Sequence, residues 1–170
     1  MKAYIITLMR DPIRVLNANF LKKLLDSTGY DSEIVEAIDA QGPSFRRASV
    51  MQDSNLTAGE IACSASHLIV HKKILESGQT ALILEDDAVV PKVIPQAWAS
   101  GVKHVMTLGA YDDRVPGSPE IEYGVETQYG IETKGMPWGT QAGFVTPAGA
   151  RILIDEQTPI KLVSDMLLHH

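Results

Sequence analysis

Residues 81–90, Ala-Leu-Ile-Leu-Glu-Asp-Asp-Ala-Val-Val, constrain the chain more than any other stretch. Four apolar residues run into three adjacent carboxylates, Glu85, Asp86 and Asp87, and an apolar run resumes behind them. A short continuous apolar run suits a strand buried on both faces, the usual state in a parallel sheet. Ligands of open α/β sheets gather at the carboxyl ends of such strands. Three acids placed there repel one another and lose hydration, so a cation or a proton has to offset the cost. A strand ending in a solvated acidic turn would have the same spacing, and only the flanking sequence separates the two.

The preceding sequence alternates strand and helix. Residues 3–8 read as a first buried strand, and Pro12 opens a helix, where its missing N–H costs nothing. Val15, Leu16, Phe20, Leu21, Leu24 and Leu25 form a helical stripe that Gly29 terminates. Residues 33–38 read as a second strand, so this β-α-β opening predicts parallel pairing through a right-handed crossover. Arg10 and Arg14 flank the first strand–helix junction, where a helix N-terminus also favours anions; ordinary solvated charges would look the same. After a loop-like stretch over 39–56, Thr57-Ala58-Gly59-Glu60 is a capping box opening a helix from about 58 to 76. Its expected buried face is Ile61, Ala65, Leu68, Ile69 and Leu75. His67, beside Ser66 in mid-helix, reads more simply as a packed structural histidine than as a catalyst. Gly78 ends the helix just before the acidic strand.

Beyond the acids, Pro91 and Pro95 bracket a loop, residues 96–102 suit a short helix and 105–108 another buried strand. Asp112 and Asp113 follow in a polar loop, and 121–133 reads as a β-ribbon. Gly139, Thr140 and Gln141 lead into a strand at 142–145, after which Thr146 caps a helix reaching about residue 155. Asp165 lies in an apolar setting within 161–168, and His169 and His170 read equally as metal ligands and as a tag remnant.

Composition narrows the class. The 170 residues, 45% of them hydrophobic, suit a single domain over 1–170 with a substantial core. Fifteen Lys and Arg against 21 Asp and Glu give a net charge of -6 with no basic run, which argues against nucleic-acid binding. An anionic substrate would then call for a bridging metal. One cysteine, Cys63, excludes an internal disulfide and fits a reducing compartment. The sequence lacks a secretory-type apolar segment and any run long enough to span a bilayer, so the expectation is a soluble cytoplasmic protein with at most peripheral membrane contact.

These features together resemble glycosyltransferase family 25, which includes bacterial lipopolysaccharide and lipooligosaccharide galactosyltransferases. The specific block is the helix opening Leu56-Thr57-Ala58-Gly59-Glu60-Ile61, carrying Ser66-His67-Leu68, followed by Ala81-Leu82-Ile83-Leu84-Glu85-Asp86-Asp87. The opening strand with Arg10 to Arg14, Val35-Glu36-Ala37-Ile38-Asp39-Ala40, Gly139 to Thr146 and the Asp165 element extend the resemblance over nearly the whole chain. Gly143 departs from it, standing where the family usually carries an aromatic residue. The family commonly continues well past the Asp165 element, so the resemblance also raises a domain shortened at its C-terminus.

The resemblance implies an α/β, GT-A-like nucleotide-diphospho-sugar transferase fold with a mostly parallel central sheet flanked by helices. It implies a UDP-sugar donor and a DXD-type site for Mn²⁺ or Mg²⁺. Alternate residues of an extended segment share a face, which would put Glu85 and Asp87 together, Asp87 on the metal and Glu85 on the metal or the ribose. Asp86 would turn away to a supporting role at the donor site. Arg10 and Arg14 are nucleotide or phosphate contacts on this reading, and Gly139, Thr140 and Gln141 shape the sugar pocket. Inverting transfer needs a general base, with Asp165 first and Asp112 and Asp113 as fallbacks. The implied function is transfer of a hexose, galactose first, to a saccharide of a bacterial cell-surface glycolipid at the inner face of the inner membrane. An inactive relative that still binds nucleotide-sugar is the first rival. A Mg²⁺-dependent phosphotransfer enzyme is the weaker one, because Ala88-Val89-Val90-Pro91 follows the acids instead of small hydroxyl residues.

Overall fold

The computed structural model describes residues 1–42, 45, 55–90, 94–108, 122–127, 130–134 and 142–162, with 122–127 and 130–134 as backbone only. Strand β1, Lys2–Thr7, leads through Asp11 into helix α1, Pro12–Ser27. The Asp11 carboxylate accepts from the N–H groups of Ile13 and Arg14, so it caps the helix that Pro12 begins. Gly29 takes a left-handed φ of 87°, and strand β2, Asp31–Glu36, starts two residues later. It starts before the expected residue 33 because the Asp31 N–H bonds at once to the Met1 carbonyl, 2.9 Å away.

Helix α2, Ala58–Ser77, opens on the expected capping box: the Thr57 hydroxyl accepts from the Glu60 N–H while Glu60 accepts from the Thr57 N–H. It closes on Gly78 at φ 66°. Strand β3, Ala81–Glu85, follows, then a 3₁₀ turn over Gln96–Gly101 and strand β4, Val105–Thr107. Strands β5, Glu122–Thr127, and β6, Gly130–Lys134, pair antiparallel as the expected ribbon. Strand β7, Ala142–Val145, runs into helix α3, Pro147–Glu156, whose N-cap Thr146 accepts from the Gly149 N–H.

The main sheet has the order β2-β1-β3-β7-β4. β1 pairs parallel with β2 and β3, whereas β7 lies antiparallel between β3 and β4. The expectation of a mostly parallel sheet is therefore corrected to a mixed one. Composition and apolar runs do not encode strand direction, so the antiparallel placement of β7 against β3 and β4 could not be read from them.

Side chains leave the sheet alternately, which builds two apolar layers. Ala3, Ile5, Leu82, Leu84 and Phe144 meet Ala18, Leu21 and Leu25 of α1 on one face. Tyr4, Ile6, Ala81, Ile83 and Val145 meet Val70 and Ile74 of α2 and Ala150 and Leu153 of α3 on the other. Two close backbone approaches set the far side. An added Cβ on Gly143 would lie 2.9 Å from the Met106 carbonyl oxygen, and one on Gly149 would collide with the His104 carbonyl. Gly143 thus lets β7 approach β4 this closely.

The two long helices bury only part of the expected faces, Leu21 and Leu25 in α1 and Ile61 in α2, and rotate the rest. In α1, Ala18, Leu21 and Leu25 are buried, whereas Leu16 and Phe20 point outward with Ile13. In α2, Ala65, Leu68, Ile69 and Leu75 are only half-buried. The buried set is Ile61, Ala62, Ser64, Ser66, His67, Val70, His71 and Ile74. Polar side chains can occupy that face because partners from elsewhere in the chain satisfy them. Ser66 Oγ donates to the Ala62 carbonyl and accepts from the Ile38 N–H at 2.8 Å, and Ser64 Oγ donates to the Leu162 carbonyl.

Candidate functional site

The carboxyl ends of β1, β2 and β3 lie side by side, since the register pairs Ile6 with both Val35 and Glu85. The ladder continues one residue further, the Asp86 N–H donating to the Ile6 carbonyl at 3.1 Å. The chain then turns, with the Ala88 N–H bonded to the Glu85 carbonyl. The three acids are consequently presented in three different ways.

Glu85 continues the face of Ile83 and projects toward α2, where its Oε1 lies 3.0 Å from His67 Nε2. His67 is buried, and Cys63 stands one helical turn before it at the surface. Burial disfavours the imidazolium, but hydrogen bonding to Cys63 and Glu85 outweighs it, so the His67 pKa is held up at about 9. One turn further on, His71 is pushed down to about 3 by burial and by the charge of His67. Helix α2 thus presents one cationic and one neutral histidine.

Asp86 projects toward α1. Its carboxylate is almost fully buried, with Oδ1 3.6 Å from Arg14 Nη1. Its Oδ2 has no hydrogen-bond partner among the described residues, and neither has the buried Thr7 Oγ1 at the end of β1. Two unsatisfied oxygens at the mouth of a sheet are a costly arrangement for a purely structural turn. Asp87 lies past the strand end and is exposed. Its carboxyl is pushed above the usual range by partial desolvation and by the neighbouring charges of Glu85 and Asp86. A divalent cation would relieve that repulsion. Hard oxygen donors on an exposed turn fit Mn²⁺ or Mg²⁺ held by one carboxylate together with substrate phosphates and water.

Arg10 stays half-exposed while pairing within the chain, its Nε 2.8 Å from the Asp39 carboxylate and its Nη1 donating to the Gln41 side-chain oxygen at 2.8 Å. Among the described residues, the Arg14 side chain pairs with Asp86 alone. At the N-terminus of α1 the Asp11 carboxylate accepts from the Ile13 and Arg14 N–H groups, so those two donors are already engaged within the chain. Asp112, Asp113, Gly139, Thr140, Gln141, Asp165, His169 and His170 lie outside the described residues. The link from Glu85 to His67 was not anticipated. The i, i+4 spacing of Cys63 and His67, which puts both on one helix face, was its available signal.

No helix among the described residues is long and apolar enough to cross a membrane. A search of curated proteins found no match. The profile of glycosyltransferase family 25, described as an LPS biosynthesis protein family, matches residues 1–113. That span includes β1 to β4 and all three acids, while β7, α3 and the Asp165 element lie beyond it. With two thirds of its length matched and the acidic turn set at the mouth of its parallel strands, the chain belongs to glycosyltransferase family 25.

Proposed function

We propose that this chain is an inverting hexosyltransferase that moves a sugar, galactose first, from a UDP-sugar to a saccharide of lipopolysaccharide or lipooligosaccharide. The observation that carries the reading is the acidic turn after β3: Asp87, its carboxyl pushed up by desolvation and by its acidic neighbours, beside a buried Asp86 whose Oδ2 has no partner among the described residues. Asp87 is the residue proposed to hold Mn²⁺ or Mg²⁺. When bound, that ion would supply Lewis-acid stabilisation of the departing nucleotide diphosphate. Arg14 balances Asp86 and is near enough to the turn to share its charge with a phosphate. Glu85 is held on the α2 side by His67, so its contribution to the donor is through a ribose hydroxyl or through the shape of the turn. Asp165 is proposed as the base that deprotonates the acceptor hydroxyl, with Asp112 and Asp113 behind it; support for all three is the family resemblance. A GT-A-like fold in one domain over 1–170, working at the inner face of the membrane, belongs to the same reading.

One observation favours a rival, a nucleotide-sugar-binding protein without turnover: Glu85 is already engaged by His67, which leaves Asp87 as the main metal carboxylate. A thermal-shift screen of UDP-sugars with and without Mn²⁺, run on the wild type and on Asp87→Ala, tests the donor site. The expected result is a Mn²⁺-dependent stabilisation that the substitution removes. A shift that survives Asp87→Ala sinks the assignment, and binding without detectable UDP-galactose hydrolysis or transfer favours the rival.

A further inference from the structure

Cys63, His67 and Glu85 offer a thiol sulfur, an imidazole nitrogen and a carboxylate oxygen that all lie within 4.8 Å of one another. Two come from one face of α2 and the third from the end of β3, so the group is fixed by the packing of that helix on the sheet. We propose that these three side chains form a binding site for a thiophilic divalent cation of the zinc class, separate from the all-oxygen position at Asp87. The proposal does not depend on the donor reading.

The chemistry of the donors decides which ion. Thiolate and imidazole select zinc-like ions over Mn²⁺ and Mg²⁺, which prefer carboxylate, phosphate and water. Zinc bonds of ~2.3 Å to sulfur and ~2.0–2.1 Å to nitrogen and oxygen place tetrahedral ligand atoms ~3.3 to ~3.6 Å apart. His67 Nε2 and Glu85 Oε1 are 3.0 Å apart, so a few tenths of an ångström of opening would admit the ion between them. Cys63 is exposed, which gives an entry path, while buried His67 supplies the rigid anchor once the ion displaces the Nε2 proton it shares with Glu85, so binding releases protons and strengthens as pH rises. Three protein donors leave a fourth tetrahedral position for water or a substrate atom. Loading the site would bind Glu85 more firmly to the α2 side and leave Asp87 to the hard ion.

The test is a Co²⁺ titration of the reduced, full-length chain, read by its absorption. Cys63 is the single cysteine in the sequence, so any thiolate-to-cobalt charge-transfer band reports that residue. The expected result is a band saturating at one ion per chain, displaced by Zn²⁺, absent in Cys63→Ser and unchanged in Asp87→Ala. Glu85→Gln should weaken Co²⁺ binding at least about tenfold, since even outer partners of metal ligands cost that much. Three results would overturn the proposal: no band at saturating Co²⁺, a band at one ion per two chains, or loss of the band in Asp87→Ala. The first would leave the three side chains a hydrogen-bonded cluster. The second would make Cys63 a bridge between copies, and the third would merge the two positions into one. Cys63 is exposed, so the serine variant retains the fold and the readout stays interpretable.

Discussion

Replacing Glu85 with Gln should flatten the alkaline side of the stability curve. In the folded chain the His67 pKa is about 9 against an ordinary 6.5, and each pKa unit is worth ~1.4 kcal/mol, which makes about 3 kcal/mol of stabilisation. The folded state holds this proton more tightly than the unfolded state. The contribution is therefore complete below pH 6.5 and is lost as pH rises to about 9. His71 acts in the opposite sense. Its pKa of about 3 gives stability that is complete above pH 6.5 and lost as pH falls. The two histidines together predict greatest stability near pH 6.5. Glu85→Gln keeps the volume and an acceptor oxygen but removes the charge, leaving Cys63, the larger favourable partner of His67. The alkaline loss should then shrink well below about 3 kcal/mol. Urea unfolding of both proteins at several values between pH 6.5 and 9.5, with EDTA present, measures it. A wild type equally stable across that window, or a variant that loses as much as the wild type, would refute the assignment of charge to His67.

Two further predictions concern packing. Ser66→Ala removes the acceptor of the Ile38 N–H and should lower unfolding stability by roughly 1–3 kcal/mol in urea, because the amide loses its partner beneath α2. The two glycines near the helix starts should respond oppositely in thermal melts. Gly149→Ala drives a methyl into the His104 carbonyl and should cost ~1–3 kcal/mol, whereas Gly59→Ala meets nothing closer than the Thr57 hydroxyl at 3.9 Å and should gain ~0.5–1 kcal/mol from helix propensity.

Features with local causes were legible in the sequence. Thr57 with Glu60, Thr146 before Pro147 and left-handed Gly78 are satisfied by atoms within four residues, so their positions follow from a few adjacent letters. The position of the acidic turn was legible for the same reason, since a four-residue apolar run has to stop where charges begin. Features with distant causes were not. Ser64, Ser66 and His67 face inward only because Leu162, Ile38 and Glu85 meet them there, and no periodicity within α2 announces those partners. Asp11 is a cap that the sequence does not single out, because the proline after it is by itself enough to start a helix. Alternation did foretell that Asp86 would part from Glu85, but the turn after Glu85 ends the extended geometry that would have kept Asp87 on the same face.

The insertion of β7 between β3 and β4 has a consequence for how the chain is made. Strands β2, β1 and β3 can pair as soon as residue 85 has emerged from the ribosome, but the outer edge of β3 then stays open. Among the described residues, β4 has no sheet partner except β7, which is synthesised more than thirty residues later. During that interval Ala81-Leu82-Ile83-Leu84 is an exposed apolar edge, the kind of template that recruits strands from other chains. A nascent or proteolysed chain ending anywhere between β4 and β7 should therefore be the aggregation-prone form, and the four residues of β7 act as the cover that closes it.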